Sequence, residues 1–159
     1  MDYDFAVKTI NRLLIKNQPS TFNSSWIRGC APHIYRFFQK NIRSEISSSV
    51  LVKGYIYGMD GKTDYPPHSL RCIDWKTGEL MWEHKMRMGT LIAAGDKLII
   101  LEYDGTLHIA EATPLIYKEI SVVKVDEGAC QFWTPPVLYK GKIFCRNHSH
   151  NLICIDVSK

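Results

Sequence analysis

Leu70-Arg71-Cys72-Ile73-Asp74-Trp75-Lys76-Thr77-Gly78-Glu79-Leu80-Met81-Trp82 is the stretch on which the reading of this chain turns. It begins as a short apolar run, stops at Asp74, turns, and then alternates outward through Leu80 to Trp82. That is the pattern of two antiparallel strands and the corner between them. Asp74 can accept hydrogen bonds from backbone amides two or three residues on, and Gly78 can take the positive φ that ends such a turn.

Around this corner the chain has 159 residues, 45% of them hydrophobic and 23% charged, enough for one domain with its own core. The formal charge of +4 is spread thinly; Lys40 to Arg43 and Lys85 to Arg87 each bring just two basic residues close together. A nucleic-acid groove asks for a denser stripe, so that class of partner is set aside. No run approaches the roughly 18 apolar residues of a membrane-spanning helix, and the opening Met1-Asp2-Tyr3-Asp4 does not read as a secretory signal. The five cysteines, Cys30, Cys72, Cys130, Cys145 and Cys154, contain no Cys-x-x-Cys pair, so neither a zinc site nor a full disulfide framework is indicated.

Residues 1–25 read as a short amphipathic helix, Asp4 to Lys16, followed by a polar linker. Residues 26–46 hold one isolated strand near Ile34 to Phe38 and a loop. From Ser47 to Lys159 the chain repeats itself. Val50 to Tyr57, Leu91 to Leu101 and Pro136 to Cys145 align on Gly54, Gly95 and Gly141, each set between two apolar strands as in a tight hairpin. The strands that follow share Leu70, Leu107 and Leu152, and end in the acids Asp74, Glu111 and Asp156. A period of about 40 to 50 residues with several short strands per unit is the signature of propeller blades. Leu98 to Leu101 and Leu152 to Ile155 are apolar on consecutive positions, which predicts strands covered on both faces. Asp104-Gly105 marks a second hairpin, and Asp60 to Ser69 reads as a widened surface loop held extended by Pro66-Pro67.

The order of glycine hairpin, apolar strand, Leu-x-Cys-Ile-Asp and x-x-Thr-Gly-x-x-x-Trp resembles the repeat of the PQQ-like β-propellers. That superfamily includes PQQ-dependent alcohol dehydrogenases and the lipoprotein that helps assemble outer-membrane barrels. The resemblance covers Ser47 to Lys159; it is strongest in the first unit, while the second lacks the tryptophan and the third stops at its turn. It implies that Asp74, Thr77, Gly78 and Trp82 are architectural, docking one blade against the next, together with Gly54, Gly95, Gly141 and Asp156. It also implies work outside the cytoplasm, in a periplasmic or similar compartment.

The expected fold is therefore all-β: about three blades of an incomplete ring, preceded by a short helix. Closed rings usually need four to eight blades. The expectation is that the chain is the C-terminal part of a larger propeller or that several copies close a ring, so the partners are missing blades, further copies, or another protein.

Few residues point to chemistry. His148 and His150, one residue apart on a hairpin tip, are candidate metal ligands, but no acid or cysteine at a familiar spacing joins them, and exposed turn residues are the alternative. If Ser149 and His150 form a two-residue turn, Cys145 and Cys154 lie opposite each other; a cross-strand disulfide and two buried thiols are both open readings. Asn23-Ser24-Ser25 and Asn147-His148-Ser149 match the glycosylation pattern, which matters only on export. A PQQ-dependent dehydrogenase would be expected to show an adjacent cysteine pair, a catalytic aspartate and calcium ligands, and the chain has no Cys-Cys. No cofactor is evident. The favoured function is a non-catalytic scaffold or protein-interaction module; the alternative is part of a quinoprotein oxidoreductase, using PQQ and calcium, whose active site lies outside this chain.

Overall fold

The computed structural model describes residues 41–43, 47–62, 65–128 and 131–158. They build three antiparallel sheets. The first runs β1 (Val50–Val52), β2 (Tyr55–Lys62), β3 (Tyr65–Asp74) and β4 (Leu80–Lys85), paired in that order. The second runs β5 (Gly89–Ala94), β6 (Lys97–Glu102), β7 (Thr106–Glu111) and β8 (Lys118–Lys124), again in order. The third has three strands among the described residues: β9 (Val137–Tyr139), β10 (Lys142–Arg146) and β11 (Leu152–Asp156). These are blades one, two and three of an all-β, incomplete propeller.

Each blade opens with a two-residue hairpin. Lys53-Gly54 and Lys140-Gly141 carry positive φ at both positions, the type I′ signature, while in Gly95-Asp96 only the glycine does, as in type II′ turns. The twist of such turns matches that of the strands they join, which is why a Gly stands at each. The Asp104-Gly105 hairpin also forms. Gly105 takes a φ of 87°, and the Asp104 carboxylate accepts from the Thr106 amide and hydroxyl.

Strand alternation decides how the blades stack. Leu98, Ile100 and Ala110 of blade two face blade one, meeting Val52, Tyr57, Leu70, Cys72 and Trp82. Ile99, Leu101 and Leu107 point the opposite way, into a second core with Ile143 and Cys145 of blade three. The consecutive apolar run Leu98 to Leu101 is thus buried on both sides, as its sequence predicts. Phe132, on the connection between blades two and three, fills the second core and lies close against Gly105. A Cβ at Gly105 would sit 2.8 Å from that ring.

Two expectations need correction. Asp60 to Ser69 is mostly strand, not an extended surface loop: Asp60 pairs with Ser69 and Lys62 with Tyr65, with a bulge between them and a cis bond at Pro66-Pro67. Burial follows, and Asp60 is only 3% exposed. The run Leu152 to Ile155 is covered on one face only; Ile153 and Ile155 pack on the second core while Leu152 and Cys154 are exposed. The helix Asp4 to Lys16, the linker after it and the strand near Ile34 to Phe38 lie outside the described residues. Asn41–Lys159 form one compact unit.

Candidate functional site

The corner from Asp74 to Trp82 is a closed local network. The Asp74 carboxylate accepts from the Lys76 and Thr77 amides, both at 2.8 Å, and Gly78 N–H donates to the Asp74 carbonyl. The Thr77 amide and its neighbours hold the Asp74 carboxyl below its ordinary range. Gly78 takes a φ of 74°. Asp156 does the same work in blade three, accepting from the hydroxyl and amide of Ser158, while Glu111 of blade two pairs with Lys118. These acids spend their acceptor capacity on turns and a neighbouring lysine.

Trp82 leaves the corner toward the next blade. It is 9% exposed, its indole N–H donates to the Thr113 carbonyl of blade two at 2.8 Å, and its ring contacts Tyr57 and Tyr117 at 5.9 and 6.0 Å. A buried indole needs a partner for its one donor, and here the neighbouring blade's turn supplies it. On the opposite face of blade one, Asp60 is ion-paired with Arg43 and Arg71, both at 3.0 Å, and Arg71 continues to Glu83. Burial raises the Asp60 carboxyl, but the Arg43 and Arg71 bonds outweigh it and leave its pKa below the ordinary value. Sequence reading missed this network because it placed Asp60 in a loop.

The histidines on the third-blade hairpin have separate partners. Both are exposed; the His148 amide donates to Gln131, and the Arg146 guanidinium donates to Nδ1 of His150 at 2.9 Å. Among the described residues no three His, Cys, Asp or Glu side chains form a metal-binding group.

The cysteines of the same hairpin are not opposite each other. The loop has three residues, not two: the Asn147 amide donates to the Asn151 carbonyl, and His150 takes a φ of 68°. The register therefore moves by one, pairing Cys145 with Ile153 and Cys154 with Phe144, and the two thiols point to opposite faces. Both are free, and Cys154 is exposed, so neither the disulfide nor a buried pair is realised. Burial pushes the Cys145 thiol up to about 11.

That slip sets which residues of β11 join an exposed apolar face on blade three. Superposing the hairpin turns puts Tyr57 and Cys72 of blade one, Ile99 and Ile109 of blade two, and Phe144 and Cys154 of blade three at equivalent paired positions. In blades one and two that face is covered by the next blade. In blade three it carries Val137 at 58%, Tyr139 at 61% and Leu152 at 67% exposure, beside Phe144 and Cys154. Scattered exposed apolar residues are ordinary, but a contiguous sheet face of them marks an interaction surface.

No family model matches the chain, and no curated protein matches it by sequence. Solved structures match by fold. A europium-containing methanol dehydrogenase is 14% identical, with a TM-score of 0.56 over 69% of this chain and 22% of that one. The quinohemoprotein alcohol dehydrogenase ADHIIG from Pseudomonas putida HK5 is 14% identical, with a TM-score of 0.55 over 71% of this chain and 19% of that one. The computationally designed Ika4 protein is 15% identical, with a TM-score of 0.54 over 72% of this chain and 66% of that one. The likeness fixes the fold as β-propeller blades, and the matched part is about a fifth of each dehydrogenase.

Proposed function

We propose that this chain is a non-catalytic scaffold, a block of propeller blades that binds other protein through the open face of its third blade. One observation carries the reading. Val137, Tyr139, Leu152 and Cys154, with the half-buried Phe144 among them, occupy the positions that in blades one and two pack against the following sheet, and here those four are exposed. A face with that pattern fits another sheet about 10 Å away, as in any sheet-on-sheet packing. The acids that repeat once per blade support the same reading, because Asp74 and Asp156 cap their own turns.

In the purified protein the sheet available to cover this face is that of a second copy. The face of blade one turned away from blade two is a poor match for it, since it carries the charged cluster of Asp60, Arg43, Arg71 and Glu83. Copies therefore meet through their third blades, about a two-fold axis, and the contact closes on itself. Light scattering on the 159-residue chain tests this, with Leu152→Lys as the variant. A dimer that the lysine converts to a folded monomer, whose melting no longer depends on protein concentration, fits the scaffold reading. A parallel titration with PQQ and calcium addresses the quinoprotein reading, which a shift in the cofactor's absorbance would favour.

A further inference from the structure

The junction of blades one and two contains a row of titratable groups that no turn or core explains. His108 lies on β7, facing blade one, with 13% of its side chain exposed. Its Nδ1 is 2.7 Å from Glu119 Oε2 on β8, and its Nε2 is 3.7 Å from Glu102 Oε1 on β6. The second distance is an ionic contact rather than a hydrogen bond, and Nε2 has no hydrogen-bond partner although it is buried. Glu102 is itself buried and accepts from the Arg87 amide on the connection between the blades. Glu119 also accepts from the Tyr117 hydroxyl, and the Tyr117 ring stacks on His84 of β4 at 3.9 Å. One chain of contacts thus runs Glu102, His108, Glu119, Tyr117, His84, crossing from blade two to blade one.

We infer that His108 is a proton-operated latch between the first two blades, closed when the imidazole is charged. An imidazolium has two N–H donors, one for each carboxylate; a neutral ring has one. When the remaining proton is on Nδ1, the Nε2 lone pair faces the buried Glu102 carboxylate with nothing between them. When it is on Nε2, the short contact to Glu119 becomes repulsive and Glu119 is held only by Tyr117. Either neutral form loosens the row at one end.

The other charges nearby do not substitute for that proton. The Arg87 guanidinium and the Lys124 ammonium are both on Asp104, at 3.3 and 3.0 Å, and Lys118 is on Glu111 at 2.8 Å. His84 faces the row through its stack on Tyr117. Burial works against a charge on His108, but Glu102 and Glu119 overcome it, so its folded pKa lies above 6.5. A raised pKa contributes stability that is fully present below the unfolded value and is lost as pH rises through the folded one. Glu119 is shifted down, chiefly by its bond to His108, so its share is present above its ordinary value of 4.5 and fails only as pH falls through its lower folded value. The latch is closed in mildly acidic solution and opens as the solution becomes alkaline.

Histidine NMR titration of the full chain, with His108→Gln to assign the signal, tests the latch alongside melting curves between about pH 6 and about pH 9. The expected result has three parts. His108 titrates above 6.5; the Tyr117 ring signals, coupled to His108 through Glu119, move with the same midpoint; and the alkaline fall in melting temperature expected of the wild type shrinks in His108→Gln. Glu102→Gln should lower the His108 midpoint, a readout that survives even if His108→Gln folds poorly. A His108 midpoint at or below 6.5, or an undiminished alkaline fall in a folded His108→Gln protein, overturns the proposal.

Discussion

Trp82 shows how a single side chain can belong to two blades. Its ring packs between Tyr57 and Tyr117, and its one polar atom is satisfied by Thr113. Trp82→Ala should therefore destabilise the protein by roughly 3 to 5 kcal/mol, as removal of a buried large aromatic does, and chemical denaturation measures it. A variant of unchanged stability would remove Trp82 from the junction. Asp60 is the polar counterpart. Replacing it with Asn leaves Arg43 and Arg71 facing a neutral group; because Arg43 is largely exposed and Arg71 keeps Glu83, a loss of about 1 to 3 kcal/mol is expected. Because the folded pKa of Asp60 lies below its ordinary 3.8, its contribution is present above that value and is lost as pH falls through the folded one. Acid unfolding of Asp60→Asn should accordingly be shallower than that of the wild type.

At the scale of the hairpin, the legible and the illegible differ by one residue. Gly54, Gly95, Gly105 and Gly141 announce their turns because positive φ at a tight turn selects glycine, and all four hairpins form. The third-blade tip has no glycine. His150 holds the position that Gly105 holds in blade two, with φ of 68° against 87°, so its three-residue loop reads as a two-residue one. Everything downstream shifts accordingly: the Cys145 and Cys154 pairing, and the face on which Leu152 emerges. His150→Gly should stabilise the protein by up to about 1 kcal/mol through relief of the left-handed backbone, despite losing the Arg146 contact. Thermal melting measures it, and a clear loss of stability would mean that the His150 side chain matters more than its φ. The Asp60 to Ser69 segment escaped for a different reason. Two prolines and a run of polar residues read as loop, yet a bulge lets the strands continue past them. His108 escaped because Glu119 reaches it beside another bulge, between Ile109 and Ala110, that no spacing rule announces.

For the molecule as a whole, the repeat was legible because stacking imposes one code on every blade. Alternate residues of β6 must satisfy the blade before and the blade after, which is why Leu98 to Leu101 are apolar without a break. The third blade carries the same code with its outward half uncovered, and that half was not legible as exposed because sequence records which face is apolar, not what lies against it. The central claim is that this face is a docking surface. Light scattering after size exclusion, on wild type and Leu152→Lys at several concentrations, tests it most directly. The account predicts a wild-type assembly of twice the 18.3 kDa chain mass that the lysine reduces to monomer. A wild-type protein that remains monomeric and soluble at every concentration would contradict it.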